Sequence, residues 1–416
     1  MFDLDKWQEI IANIRANKLR ALLTAFGVSW GILVLLVLLG AGSGLENGVN
    51  RNMSGFATNA VYVWGRRTTL PFAGMLPGRW VRYDNRDTEA IARTISGIEH
   101  LAPRNQLGGF RGGNTVSRGD KSSTFSVYGD YPQFIRIQPM IISEGRFLNH
   151  IDIVDRRKVA VIGKTAKEIL FAPGEDPVGK AIKINGVYFT VVGAFTSRQR
   201  GEGGERHAQS IYIPFTTFQR AFNVGDRVGW FAITAQPGVD AERVEKDIRS
   251  VLAARHKISP DDEQAIGSFN AKKEFDKVQN LFLGIRGLIW FVGVFTLLAG
   301  VIGVSNIMLI VVKERTKEIG IRKAMGATPF SIITTFIQES VMITSVAGYL
   351  GIVAGVGLIE AVDKLGIEND VFANPTVELS TALIAAAILV LAGGIAGIVP
   401  AWMAAKVDPV EALRSE

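Results

Sequence analysis

LFLGIRGLIWFVGVFTLLAGVIGVSNIMLIVV, residues 281–312, is the stretch that decides what kind of chain this is. A single charge, Arg286, interrupts an apolar run longer than the roughly 20 residues a helix needs to cross a bilayer. Three more runs, at 21–41, 330–359 and 381–403, reach the same length. One such run could be a buried soluble helix; four in one chain predict four membrane spans. The expected bounds are 21–43, the membrane part of 271–312, 330–361 and 380–403. Between the first two, residues 44–270 read as an ordinary α/β domain large enough to build its own core.

The formal net charge of +7 is compatible with nucleic-acid binding, but its distribution is not. Lys6, Arg15, Lys18 and Arg20 precede the first run, and Lys313, Arg315, Lys317, Arg322 and Lys323 fill the link between the second and third. The link between the third and fourth carries Asp363, Glu368, Asp370 and Glu378 against Lys364. The positive-inside rule then puts both termini, including the 404–416 tail, and the 313–329 link in the cytoplasm. The 44–270 domain and the 360–379 loop fall outside. The chain has no cysteine, hence no disulfide framework and no thiolate metal site. Gly40-Ala41-Gly42 imitates a signal-peptide cleavage site, but the preceding run is long enough to span, so an uncleaved anchor fits better.

Working outward, Leu4, Trp7, Ile10, Ile11 and Ile14 recur at helical spacing, which predicts an amphipathic helix over 1–20 lying on the cytoplasmic face or on a partner. Helical apolar spacing in the second span begins early, at Phe275, Val278, Phe282 and Ile285. A helix over 271–312 would be about 60 Å long at 1.5 Å per residue, so half of it should stand clear of the bilayer as a stalk. A break at Gly284 or Gly287 is the alternative. Gly27/Gly31, Gly351/Gly355 and Gly393/Gly397 are small-residue pairs that permit close helix approach, each a weak signal alone.

In the external segment, Val61–Trp64, Phe125–Gly129, Lys158–Ile162, Ala181–Ile184, Val187–Val192, Ser210–Ile213 and Trp230–Ala235 read as strands. Asn185-Gly186 suits a two-residue type I′ hairpin. Asp87–Thr94 and Ala241–Arg255 read as helices, and Gly201–Gly204 as a flexible tip. The order suggests an α/β lobe closed by both ends of the segment, with a β-rich sublobe over about 125–210.

Catalytic chemistry is missing. Gly163-Lys164-Thr165 mimics the end of a phosphate-binding loop, but Lys158 stands where that motif needs its first glycine, so it reads as a strand-to-helix turn. His100, His150, His207 and His256 are scattered and are expected on the surface or in loops. No Gly-x-Ser-x-Gly elbow is present. The residues describe a non-enzymatic membrane protein that needs an outside source of energy.

The link between the second and third spans reads Lys313-Glu-Arg-Thr-Lys-Glu-Ile-Gly-Ile-Arg-Lys-Ala-Met-Gly-Ala-Thr-Pro-Phe330. It predicts a short charged helix closed by Gly326, with Thr328 capping the next helix and Pro329 in its first turn. A plain solvated link would need no apolar pattern, yet Ile319, Ile321, Ala324 and Met325 interrupt the charges, as in a helix that lies in a partner's groove. The stretch resembles the coupling-loop signature of the FtsX/MacB-type ABC permease family at Glu314, Arg315, Glu318, Ile319, Gly320, Arg322, Lys323, Ala324, Gly326 and Ala327. Phe336-Ile-Gln-Glu-Ser340 and the tail from Pro400 to Glu416 resemble two further family motifs, and in the tail Asp408, Pro409 and Glu411 form a capping-box start. Glu144-Gly-Arg-Phe147, Val159–Gly163, Leu170-Phe171, Asp176–Lys180 and Ile184-Asn-Gly186 resemble the MacB-type periplasmic core domain.

The resemblance implies a permease in the bacterial inner membrane that pairs with a second copy or a paralogue. ATP and Mg²⁺ would be bound by an ABC ATPase, with no cofactor or metal on this chain. About 20 residues precede the first span, whereas MacB carries its ATPase domain there, so the ATPase is expected on a separate chain. The 313–329 loop would seat in the ATPase and the long helix would carry its closure to the 44–270 domain, the mode called mechanotransmission. The expected function is export of a hydrophobic molecule or peptide from the periplasmic side, with an adaptor (membrane fusion) protein. Lol-like lipoprotein release and FtsX-like signalling to a cell-wall hydrolase are the alternatives; a bare membrane-anchored binding module would not need the coupling loop.

Overall fold

The computed structural model of the chain describes residues 18–53, 57–109, 113–199, 201–366, 369, 371–409 and 412. Most of the expected amphipathic segment, and Glu411 of the expected tail cap, lie outside the described residues. The chain divides into two compact units, one of residues 1–48 with 280–416 and one of residues 49–279.

Among the described residues four helices are long and apolar enough to cross a membrane: a first helix Lys18–Met53, a long helix Ala271–Glu314, a third helix Pro329–Lys364 and a fourth helix Leu379–Lys406. The long helix runs unbroken through Gly284 and Gly287. Lipid gives no hydrophobic drive for helices to associate, so close backbone approach through small residues must hold such a bundle. Gly351 and Gly355 of the third helix pack on Ser29, Ile32 and Leu36 of the first. Gly393 and Gly397 of the fourth helix pack on Thr344 and Ser340 of the third, and the Ser340 hydroxyl donates to the Gly393 carbonyl at 2.8 Å. Gly300 of the long helix meets Val28 of the first. Gly31 reaches Thr296 of the long helix, whereas a Cβ at Gly27 would meet nothing, so that glycine pair is only half an interface. The outward faces are rich in large apolar side chains such as Leu288, Phe291, Phe295 and Leu391, as lipid contact requires.

The loop after the third helix is strapped to the end of the first. Asn47 donates to the Asn374 carbonyl at 2.9 Å, Ser43 to that of Thr376 at 2.6 Å, and the Ala373 amide to the Gly44 carbonyl at 3.0 Å. The first and long helices are tied by Glu46–Arg286 at 2.8 Å and Asn50–Gln279 at 3.1 Å.

Among the described residues the inserted unit has thirteen strands: β1 (Ala60–Gly65), β2 (Tyr83–Asp84), β3 (Ile98–Gln106), β4 (Asn114–Arg118), β5 (Lys121–Asp130), β6 (Met140–Gly145), β7 (Val159–Gly163), β8 (Ala181–Ile184), β9 (Val187–Ser197), β10 (Ser210–Pro214), β11 (Arg227–Val228), β12 (Trp230–Ala235) and β13 (Ile266–Asn270). One half is an antiparallel sheet β3-β12-β1-β13. Helices Asn85–Thr94 and Ala241–Arg255 enclose its apolar core through Ile91, Val244, Ile248 and Leu252. The other half closes on itself. Strand β5 pairs with β10, then β7, β9, β8 and β4 follow, and β4 returns to β5. This ring leaves no free edge along its circuit, and Phe125, Ile162, Phe189 and Ile211 fill it. The β-rich lobe thus begins before Phe125, because β4 completes the ring.

Local signals behave as their physics dictates. Asn185 and Gly186 both have positive φ (42° and 92°) between the paired residues Ile184 and Val187. Gly163 ends β7 and the helix Lys164–Leu170 follows; a side chain there would meet the Ala208 carbonyl at 2.2 Å, so the glycine serves packing and not a phosphate. Two expectations are corrected. Gly201–Gly204 is not a flexible tip but the start of the helix Gly201–Ala208, because Gly204 lies against the Gln199 carbonyl at a distance only glycine permits. His207, on the same helix, is buried and not at the surface; it is hydrogen-bonded to Ser197 at 3.0 Å and packed on Phe195. Burial, and secondarily the Arg104 cation, hold its pKa down at about 4. Where β3 joins the two halves, Arg104 makes a two-pronged, fully buried pair with Asp130 and lies 3.6 Å over the Phe134 ring.

Candidate functional site

The long helix stops at Glu314, and Arg315 turns the chain with φ −98° and ψ 12° and no side-chain cap. A short helix, Thr316–Ala324, follows. At its end Gly326 has φ +93°, its amide bonds the Lys323 carbonyl, and the Ala327 amide bonds the Arg322 carbonyl, both at 3.0 Å. That pair of bonds is a Schellman stop, which needs a residue free to adopt positive φ. Thr328 then caps the third helix by accepting from the Ser331 amide, and Pro329 supplies the first turn.

The faces of this short helix are sharply divided. Ile319 is buried in one apolar cluster with Ile332, Phe336 and Ala404. Gly320 faces the tail, where a Cβ would lie 2.6 Å from Cβ of Ala412. Lys323 points the same way: its ammonium donates to the Ala405 carbonyl at 2.6 Å and the Val407 carbonyl at 2.8 Å, completing the end of the fourth helix. Arg315 turns inward to Glu339 of the third helix, with a closest approach of 3.6 Å. Outward lie Glu318 and Arg322, paired with each other at 2.7 Å, together with Ala324. Ile321, Met325 and Phe330 are exposed beside them, Met325 and Phe330 to 77% each. Of the apolar residues that interrupt the charges, Ile319 is therefore used by its own chain, and Ile321, Ala324 and Met325 remain outside.

Sequence reasoning quoted Glu339 within the Phe336–Ser340 motif, Phe330 at the end of the link, and Ala405 and Val407 within the tail, but gave none of them a part in this site. Glu339 had a readable signal, a carboxylate inside an apolar run. Phe330 did too, as a large apolar residue beside a charged helix. The carbonyls of Ala405 and Val407 had none, because their partner is some eighty residues earlier in the chain. Among the described residues no cluster of three or more His, Asp or Glu side chains is arranged to hold a metal.

The inserted unit offers a second exposed feature. Between Gly65 and Val81 a hairpin carries Leu70, Phe72, Met75, Leu76 and Trp80 on its surface. Asp262 ties its start, accepting from the Thr69 hydroxyl (2.7 Å) and from the amides of Thr69 (2.6 Å) and Leu70 (3.0 Å). Those bonds hold the Asp262 carboxyl below its ordinary range against the opposing effect of burial, which is the largest single influence on it.

Residues 21–251 match the MacB-like periplasmic core domain and residues 290–409 the FtsX-like permease C-terminal domain. A pyoverdine export ATP-binding/permease protein of Pseudomonas entomophila is 33% identical over 96% of this chain and 58% of its own length. A macrolide export ATP-binding/permease protein of Rhodospirillum rubrum is 30% identical over 97% of this chain and 59% of its own length. The periplasmic region of MacB from Actinobacillus actinomycetemcomitans has a TM-score of 0.44 and 20% identity, covering 55% of this chain and 96% of that one. The chain thus spans less than two thirds of the curated relatives it matches. With a MacB-like core domain between its first two membrane helices and an FtsX-like half after it, the chain belongs to the FtsX/MacB-type ABC transporter permeases.

Proposed function

We propose that this chain is the permease of an exporter driven by an ABC ATPase on a partner chain, working from the bacterial inner membrane with both termini cytoplasmic. The observation that carries the reading is the short helix Thr316–Ala324. It is bound to its own chain on one face and presents Ile321, Met325 and Phe330 beside the Glu318–Arg322 pair on the other. Such a face, apolar knobs within a charged rim, is suited to a groove on a nucleotide-binding subunit. The coupling residues are Glu314, Arg315, Glu318, Ile319, Gly320, Arg322, Lys323, Ala324, Gly326 and Ala327. The outward members meet the ATPase, while Ile319, Gly320 and Lys323 hold the helix in place. ATP and Mg²⁺ belong to the partner.

The substrate class is a hydrophobic molecule or peptide taken from the periplasmic side, a reading supported by the export proteins to which the chain is similar. The adaptor would dock on the periplasmic core domain through the apolar hairpin around Phe72 and Leu76, and a second permease copy completes the assembly. The unbroken long helix suits it to carry motion between coupling helix and core domain.

The test is copurification and ATP-driven export with the cognate ATPase. Glu318→Arg and Phe330→Asp should each weaken ATPase capture about tenfold, the scale of one lost interface anchor, while membrane insertion stays normal. Capture and export at wild-type levels in both variants would sink the coupling role.

A further inference from the structure

The backbone break at Arg315 poses a mechanical problem. A nine-residue helix beyond a non-helical residue has little stability of its own and could swivel about that break. A local tie spans the break, the Thr316 hydroxyl donating to the Val312 and Lys313 carbonyls of the long helix at 3.1 and 2.8 Å, and three further contacts fix the short helix to the third and fourth helices. Arg315 faces the buried carboxylate of Glu339, nearly three turns into the third helix; their side chains are only 19% and 5% exposed. Lys323, two turns further along the short helix, holds the terminal carbonyls of the fourth helix. Ile319, between them, is buried in one apolar cluster with Phe336 of the third helix and Ala404 of the fourth, to which Val312 of the long helix also belongs.

We propose that Arg315 and Glu339 form a latch which, with Lys323, makes the coupling helix one rigid body with the third and fourth membrane helices. Displacement of the coupling helix is then delivered to those two helices directly and is not absorbed by the break at Arg315. Arg315 and Glu339 are positioning residues. Glu339 stands among apolar neighbours where a carboxylate persists only for a reason, and at 3.6 Å the pair is an ion pair without a direct hydrogen bond in this state. The inference rests on the coupling reading above.

The chain's lack of cysteine permits a direct test on the full-length protein in nanodiscs. Spin labels go on Met325→Cys and Trp402→Cys, both exposed positions, one on the coupling helix's stop and one on the fourth helix. The latch predicts one narrow distance distribution, the same with and without ATP-loaded ATPase. Arg315→Ala or Glu339→Gln should broaden it about twofold, as local freedom replaces a fixed geometry. The exchange Arg315→Glu with Glu339→Arg should narrow it again, a rescue that packing alone does not supply. Single variants as narrow as the wild type, or an exchange no narrower than the singles, would overturn the latch. Failure of the coupling reading shows elsewhere, as a Met325→Cys chain that does not crosslink to the ATPase in an otherwise wild-type background, so the two failures are distinguishable.

Discussion

Lys323 donates to the Ala405 carbonyl at 2.6 Å, so a residue of the short helix Thr316–Ala324 completes the last turn of the fourth membrane helix. Helix ends leave carbonyls without intrahelical partners, and a cation there satisfies both their hydrogen bonding and the helix dipole. Replacing Lys323 with Met keeps the apolar stem and removes the donor. The expected cost is about 1–3 kcal/mol, read as faster hydrogen exchange in residues 402–407. Lys323→Arg should retain most of the protection.

Gly320 and Ala412 form a matched pair. Gly320→Ala would bring two methyl groups to 2.6 Å, so the tail must shift. Protease accessibility of the chain around Ala412 should rise in Gly320→Ala and fall back toward wild type in Gly320→Ala with Ala412→Gly. Independent sites would show simple additivity instead. Gly320→Arg is accordingly a test of tail packing, whereas Glu318→Arg, on the exposed face, tests the partner surface.

Gly393 carries the seam between the third and fourth helices. A Cβ there would stand 2.0 Å from Oγ1 of Thr344, which leaves no room for a side chain. Gly393→Leu should separate the two helices and sharply lower the yield of folded protein, measured as the monodisperse fraction in detergent. Gly27→Leu, where nothing lies nearby, should express normally.

His207 makes the core domain sensitive to acid. Its folded pKa of about 4 lies below the ordinary value of 6.5, chiefly through burial. The unfolded chain therefore binds the proton more readily, and the His207 contribution is fully present above 6.5 and declines as pH falls toward 4. A depression of that size corresponds to about 3 kcal/mol. Chemical denaturation at pH 7 and pH 4 should show the loss, and His207→Gln should flatten it even if it lowers stability at both.

What could be read in advance was whatever is encoded locally. The four spans, the Asn185-Gly186 turn, the Gly326 stop, the Thr328-Pro329 start and the helix Ala241–Arg255 each depend on neighbours within a few residues. The helix at Gly201 was missed for the converse reason. Its glycines signal flexibility by composition, but the close approach of Gly204 to the Gln199 carbonyl is what they serve. The ring of strands was legible only in part, because β4 reads weakly and is made a strand by pairing with β5 and β8.

The short helix Thr316–Ala324 shows the same division in miniature. Sequence alone determined that a charged helix with apolar interruptions lies between the second and third spans, since periodicity, caps and charge are properties of the segment itself. Only the tertiary structure decided which apolar residues of the helix are buried and which are exposed. Ile319 and Ile321 are both isoleucines two residues apart, yet one is buried with Phe336 and Ala404 and the other is exposed. Burial depends on what the rest of the chain brings to that surface, here the third and fourth helices and the tail near Ala412, and no local pattern carries that information.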